Sequence, residues 1–148
     1  MHNSKKSCNF ADFIHVSMKH LIIIGAGGMG RTMYDMARES IGYGTQYDIR
    51  GFIDDNVAAL DNFANYPPII APIQGYQPQE DEVFACSIGG TSRQKCMEEI
   101  VSRGGKFLTM IHATARLGTN VQVGEGTIVG AFTSIGADAK VGKYNLIQ

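Results

Sequence analysis

The chain has 148 residues, a formal net charge of −1, 44% hydrophobic and 18% charged residues. That balance fits a soluble globular protein and excludes a disordered, charge-swollen chain. It also excludes a basic field able to gather nucleic acid or anionic lipid, and no apolar run approaches the roughly 18 residues of a membrane span.

Residues 1–17, "MHNSKKSCNFADFIHVS", show no clear period and no apolar core long enough for a signal peptide. They read as a loosely ordered extension before a functional start at Met18, and His2 and His15 within them take no role. "KHLIII" is a continuous apolar run, the pattern of a strand buried on both faces of a parallel sheet. "GAGGMG" ends it. Helical spacing follows at Met29, Met33, Met36 or Ala37 and Ile41, until "GYGT" stops it. "YDIRGFIDD" is a second strand ending in two acids. The stretch after it holds all four prolines, with room for one short edge strand near Ile69–Ile70. "EVFACSIGG" is a third strand and "TSRQKCMEEIVSRGG" a second helix, with Thr91 or Ser92 as N-cap and Gly104–Gly105 as stop. "KFLTMI" closes this half as its last strand. Strands alternating with helices predict a small parallel α/β sheet, Rossmann-like, over residues 18–110.

Cys8, Cys86 and Cys96 form no CxxC pair, so the spacing gives no metal site and points to reduced thiols in a cytoplasmic protein. Cys86 reads as a small buried hydrophobe and Cys96 as structural.

Gly25, Gly27 and Gly30 fit G-x-G-x-x-G between strand and helix. Gly25 allows the sharp turn, Gly27 lets a phosphate approach the backbone, and Gly30 lets the helix pack close to the strand. The helix N-terminus offers free N–H groups. No lysine follows in GK[ST] form, so this is not a Walker A loop. Asp54 and Asp55 stand at the carboxyl end of the second strand, where an acid can bind a ribose hydroxyl. A dinucleotide fold needs two mononucleotide halves, and the sheet has room for about one. A single nucleotide fits better than NAD.

From Ile111 the chain counts in sixes: IHATAR, LGTNVQ, VGEGTI, VGAFTS, IGADAK, VGKYNL, IQ. The first position is aliphatic throughout, and the second is Gly at 118, 124, 130, 136 and 142. Such a period fits a parallel β-helix of hexapeptides, wound left-handed, with the aliphatic inward and Gly allowing a tight turn or close backbone approach. Residues 111–148 give about two coils, leaving an open edge that implies a covering partner or a fragment.

A small nucleotide-binding domain leading into hexads resembles the bacterial sugar acetyltransferase family of sialic-acid O-acetyltransferases and UDP-4-amino-sugar N-acetyltransferases (PglD/NeuD-like). The resemblance covers residues 19–148 and rests on "IIIGAGGMGR", "GFIDD", "SIGGTSRQ", "IHATARLG" and the repeats. It implies that Gly25, Ala26, Gly27, Gly28, Gly30, Asp54 and Asp55 hold the nucleotide of a nucleotide-sugar, with Ile88, Gly89 and Arg93 lining the same cleft. Arg93 has an alternative reading as a solvated arginine of the first helical turn. The resemblance further implies acetyl-CoA as co-substrate, no metal, a homotrimer through the β-helices, and a histidine general base that activates a sugar amine or hydroxyl.

The sequence departs from the family at that base. Its histidines are His2, His15, His20 and His112, and the family's catalytic histidine belongs to a hexad beyond "NLIQ". No catalytic residue is carried over. His112 matches the "IH-x-x-A" entry motif and reads as a structural junction. The expectation is a sugar acetyltransferase by family whose chain as given is catalytically incomplete. A non-catalytic nucleotide-sugar module and an NAD-linked oxidoreductase are the alternatives.

Overall fold

The computed structural model describes residues 17–148. The expected N-terminal extension, with His2, Cys8 and His15, lies outside the described residues apart from Ser17. Four strands, β1 (Lys19–Ile24), β2 (Tyr47–Ile53), β3 (Ile69–Ala71) and β4 (Glu82–Cys86), form a parallel sheet in the order β3-β2-β1-β4. Helix α1 (Gly28–Arg38) follows β1, and α2 (Thr91–Ser102) follows β4. Leu21, Ile22, Ile23 and Ile24 of β1 are all 0% exposed, because alternate residues face opposite layers. Leu21 and Ile23 share a core with Met33, Met36 and Ala37 of α1. Ile22 and Ile24 join Cys96, Met97 and Ile100 of α2. Each such side chain contributes about 1.5–3 kcal/mol by leaving water.

Three local expectations are corrected. Helix α1 stops at Arg38 rather than reaching Ile41, which is 63% exposed. The chain leaves the helix because it pairs with a later segment: Ile41 N–H donates to Ile111 O, and Ser40 bridges His112. The N-cap of α2 is Gly90, at φ 65°, not Thr91 or Ser92, and no side chain caps it. "KFLTMI" is not one strand. Phe107 makes a single parallel bridge to Phe84, whereas Met110–Ile111 pairs with the hexad region, drawn there by Met110 N–H bonding Thr127 O.

The hexads form short strands β5 (Met110–Ile111), β6 (Arg116–Leu117), β7 (Gln122–Val123), β8 (Ile128–Val129), β9 (Ser134–Ile135), β10 (Lys140–Val141) and β11 (Leu146–Ile147). They stack in parallel as β5·β8·β11, β6·β9 and β7·β10, a coil of eighteen residues per turn as the register Met110↔Ile128 shows. The glycines of the second position serve close approach. A Cβ on Gly118 would lie 2.5 Å from Ala137 N, and one on Gly124 2.5 Å from Gly142 C. The turns themselves fall at the fourth position, where Asn120, Gly126, Phe132, Asp138 and Tyr144 hold φ between 57° and 72°. Outside the coil, the sixth-position residues Met110 and Ile128 are each 1% exposed and complete the core under β1, with Leu146 packed against them.

Candidate functional site

Strand order reverses between β1 and β4, since β2 lies on one side of β1 and β4 on the other. Loops diverge at such a point and leave a crevice at the carboxyl ends of the strands. The glycine loop fills one lip. Gly25 takes φ 93° and is pinned by its N–H to Ile53 O at 2.9 Å. Gly30 is forced by packing: its Cβ would stand 2.0 Å from Gly25 O. Gly27, the N-cap of α1, is different, because a Cβ there meets nothing within 4 Å. No side chain caps this helix. The first N–H groups of a helix have no partner inside it, and the positive end of the helix dipole lies behind them.

Ser87, first residue after β4, forms the other lip. Its hydroxyl donates toward Ile24 O (2.7 Å) and Gly25 O (3.1 Å), fastening the "SIGG" loop to the glycine loop. Asp54 Oδ2 accepts Ala26 N–H at 2.8 Å, and Oδ1 accepts Asn56 N–H at 2.8 Å. Asp54 is thus seated against the loop from the end of β2.

The other sequence candidates spread out from this point. Asp55 Oδ1 accepts the N–H groups of Ile73 (2.9 Å) and Gln74 (3.1 Å), tying the end of β2 to the loop after β3. With Ile88, Ser92, Lys95 and Cys96 it lines a cavity of about 330 Å³ on the α2 side of the sheet. Gly89 is exposed, with open space where a side chain would be. Arg93 is not a solvated arginine. It is half-buried, donates from Nη1 to Cys86 O and from Nη2 to Tyr144 O at 3.5 Å, and lines a larger cavity of about 580 Å³ between α2 and Tyr144 of the coil. The structure therefore brings Gly25, Ala26, Gly27, Gly28, Gly30 and Asp54 together, and sets Asp55 with Ile88, and Arg93, in two adjoining spaces rather than one cleft.

One residue the sequence reading passed over belongs here. Arg31, directly after the third glycine, folds back so that Nη1 donates to Ala26 O at 3.4 Å, while its guanidinium stacks 3.6 Å above the Phe63 ring. A basic residue closing a glycine loop was the available signal.

His112 is 4% exposed and fully engaged. Its Nδ1 accepts Thr114 N–H at 3.1 Å, which places the ring proton on Nε2, where it meets Glu39 Oε2 at 2.8 Å. It joins the end of α1 to the first coil. His20, at the opposite end of β1 from the crevice, faces Asp48 and Asp81. Among the described residues no group of three His, Cys, Asp or Glu side chains is placed to hold a metal ion, and no helix is long and apolar enough to cross a membrane.

Residues 20–100 match the family described as the PglD N-terminal domain. The chain is 27% identical over 117 residues to a UDP-N-acetylbacillosamine N-acetyltransferase of Bacillus subtilis (strain 168), covering 76% of this chain and 51% of that protein. It shares its fold with the acetyltransferase domain of PglB from Neisseria gonorrhoeae FA1090, solved with acetyl coenzyme A, at TM-score 0.73 and 24% identity, covering 89% of this chain and 62% of that one. The same holds for PerB from Caulobacter crescentus, solved with CoA and GDP-perosamine, at TM-score 0.68 and 23% identity over 89% of this chain and 61% of that one. The chain thus spans between half and two thirds of the length of these relatives.

Proposed function

The chain belongs to the PglD N-terminal domain family, and from that premise we propose that it binds the nucleotide of a nucleotide-linked amino sugar as part of an acetyl-CoA-dependent sugar acetyltransferase. The observation that carries this reading is the open glycine loop at the β1–β4 switch point, with Gly27 unobstructed and Asp54 beside it. The diphosphate lies across the N-terminus of α1, where N–H groups and helix dipole favour negative charge. Asp54 and, from the α2 side, Asp55 and Ile88 flank the nucleoside. Gly89 and Arg93 extend the path toward the coil. The four-stranded sheet offers one mononucleotide half, which argues against NAD.

In this reading residues 18–110 form the nucleotide-sugar domain and residues 111–148 a left-handed β-helix through which three copies associate in the cytoplasm. Acetyl-CoA is the donor, and no metal takes part. The acceptor amine or hydroxyl attacks the thioester carbonyl after losing its proton to a general base. His112 does not serve as that base, since both its ring nitrogens are occupied by Thr114 and Glu39. His20 lies at the far end of β1 from the glycine loop, beside Asp48 and Asp81, so among the described residues no histidine stands available as that base.

Calorimetric titration with UDP- and GDP-linked amino sugars tests the site, with NADH as the competing ligand and CoA release as the readout of transfer. Saturable binding of a nucleotide-sugar, none of NADH and no CoA release are expected. Tighter binding of NADH overturns the nucleotide assignment, and CoA release at an ordinary enzymatic rate overturns the assignment of His112.

A further inference from the structure

Arg31 is a cation without an acid. It closes the first turn of α1, one residue past the third glycine, and is half-buried. Asp35, one turn further along the same helix, is the partner that its spacing offers. Yet among the described residues no carboxylate lies within 4 Å of the Arg31 guanidinium. The side chain runs back toward the start of the helix. Nη1 reaches Ala26 O at 3.4 Å, a long and weak bond, and Nη2 lies 3.8 Å from where a Cβ on Gly28 would stand. A guanidinium carries five N–H donors in a rigid fork, and only this one long bond engages them among the described residues.

An aromatic ring holds the fork in place. The loop after β2 is anchored on α1, because Ala59, Leu60 and Tyr66 pack against the core and the Tyr66 ring meets Tyr34 edge-on at 5.5 Å. That anchoring sets Phe63 beside the first turn, with the Arg31 guanidinium 3.6 Å from the ring centroid. Stacking occupies one face of the guanidinium and leaves its edge for acceptors. Gly28 adds to this. Its φ is not positive, and a Cβ there would meet only Arg31 Nη2, at ordinary contact distance. Packing therefore does not require glycine. Its bare α-carbon keeps any side chain from standing between Nη2 and the glycine loop.

We propose that Arg31 is a phosphate ligand of the glycine loop and makes the site prefer a nucleoside diphosphate to a monophosphate. The inference rests on the reading of this loop as the nucleotide site, and adds a residue and a selectivity to it. The start of α1 offers N–H groups to one phosphoryl group. The Arg31 fork, across Gly28, takes oxygens of the second in a two-pronged pairing that lysine cannot copy. Phe63 holds the fork before the ligand arrives, so little side-chain freedom is lost on binding. Sugars linked through a diphosphate are thereby separated from sugars linked through a single phosphate.

The test is calorimetric titration of the full chain with UDP, UMP, GDP and GMP at low ionic strength, where charge pairing is least screened. The parent should bind a diphosphate at least about tenfold more tightly than its monophosphate. Arg31→Gln should weaken the diphosphate by about 10–100-fold and leave the monophosphate within about threefold, so that the preference collapses. Arg31→Lys keeps the charge without the fork and should recover only part of that loss. Phe63→Leu removes the ring and no charge, and should cost about 2–5-fold on the diphosphate. Thermal midpoints of the three variants should stay near the parent's, since each change lies at the surface. A parent that binds no nucleotide overturns the reading of the loop and this inference with it. A parent that binds diphosphate and monophosphate alike overturns this inference alone. So does a preference that survives in both Arg31 variants, or a loss in them that is equal for both ligands.

Discussion

Gly27 and Gly30 belong to one motif yet answer to different constraints, and replacing each by alanine separates them. A Cβ at position 30 would stand 2.0 Å from Gly25 O and 2.8 Å from Gly25 C. Both atoms are backbone, in a turn held at φ 93° and hydrogen-bonded to Ile53, so they cannot swing aside as a side chain would. Ordinary contact needs over 3 Å, so α1 must retreat by about an ångström from β1. Overpacking of that kind costs about 1–3 kcal/mol and sometimes more, against about 1 kcal/mol returned by the better helix propensity of alanine. With a backbone contact as short as 2.0 Å the upper part of that range applies, about 2–3 kcal/mol, so Gly30→Ala should lose on the order of 1–2 kcal/mol net, read as a lower midpoint in urea at unchanged slope. At position 27 nothing lies within 4 Å and φ is −71°, which any residue adopts. Alanine is a poorer N-cap than glycine, but it restricts the unfolded chain, and the two effects nearly cancel, leaving a change within about 0.5 kcal/mol. Its methyl group would project where the proposed diphosphate approaches, so nucleotide-sugar affinity should fall at least about tenfold, or 1.4 kcal/mol. Parental affinity in Gly27→Ala, or parental stability in Gly30→Ala, would refute this division of labour.

Burial, partly offset by a hydrogen bond from Ser40, pushes the Tyr47 hydroxyl up to about 12 from 10.0, and it donates to Ala37 O at 2.6 Å. The folded state holds this proton more tightly, so stability should be intact below about pH 10 and decline by about 2–3 kcal/mol as pH rises toward 12. Tyr47→Phe should flatten that alkaline slope in pH-dependent thermal melts, leaving the part owed to Tyr76, whose hydroxyl is also pushed up by burial and by Glu82. Ile128→Ala, at a site 1% exposed that joins coil and sheet, should cost about 2–4 kcal/mol, and circular dichroism and intrinsic tyrosine fluorescence should still report one transition. Separate transitions would show that the two parts fold independently. His112→Ala strips Glu39 and Thr114 of their partner, with an expected loss of about 2–3 kcal/mol and faster amide exchange at Ile41 and Ala113, the backbone bonds of the same junction.

Strands β1, β2 and β4 were legible because a run such as "LIII" has no polar face to leave in water, and the hexads because a period of six fits neither helix nor ordinary strand. Register along the coil followed from that count. What escaped depends on contacts distant in sequence. Asp54 and Asp55 are adjacent, and only the direction of each side chain at the end of β2 decides that the first meets the glycine loop and the second the loop after β3. The sequence leaves Arg93 between a cleft-lining residue and a solvated arginine of a first turn, and only its bonds to Cys86 O and to Tyr144 O, fifty-one residues on, decide against the second. Helix α1 lost its last expected turn because Ile111 competes for Ile41. One miss was avoidable. In the sixth hexad position Met110, Ile128 and Leu146 are apolar, whereas Arg116, Gln122, Ser134 and Lys140 are polar. That alternation by threes marks the docked face.

The docked face sets a rule for how the coil can change in length. Met110, Ile128 and Leu146 stand above one another because each is eighteen residues from the next. Removing or inserting one hexad would keep every strand and every inward aliphatic, yet turn all later corners by a third of a revolution. Ser134 after a deletion, or Gln122 after an insertion, would then stack in line with Met110 under β1, and Ile128 would turn toward water. Insertions and deletions tolerated after Met110 should therefore come as whole turns of three hexads, or else fall in the corner loops. A coil indifferent to six-residue edits on its own is made indivisible below eighteen by the sheet it leans on.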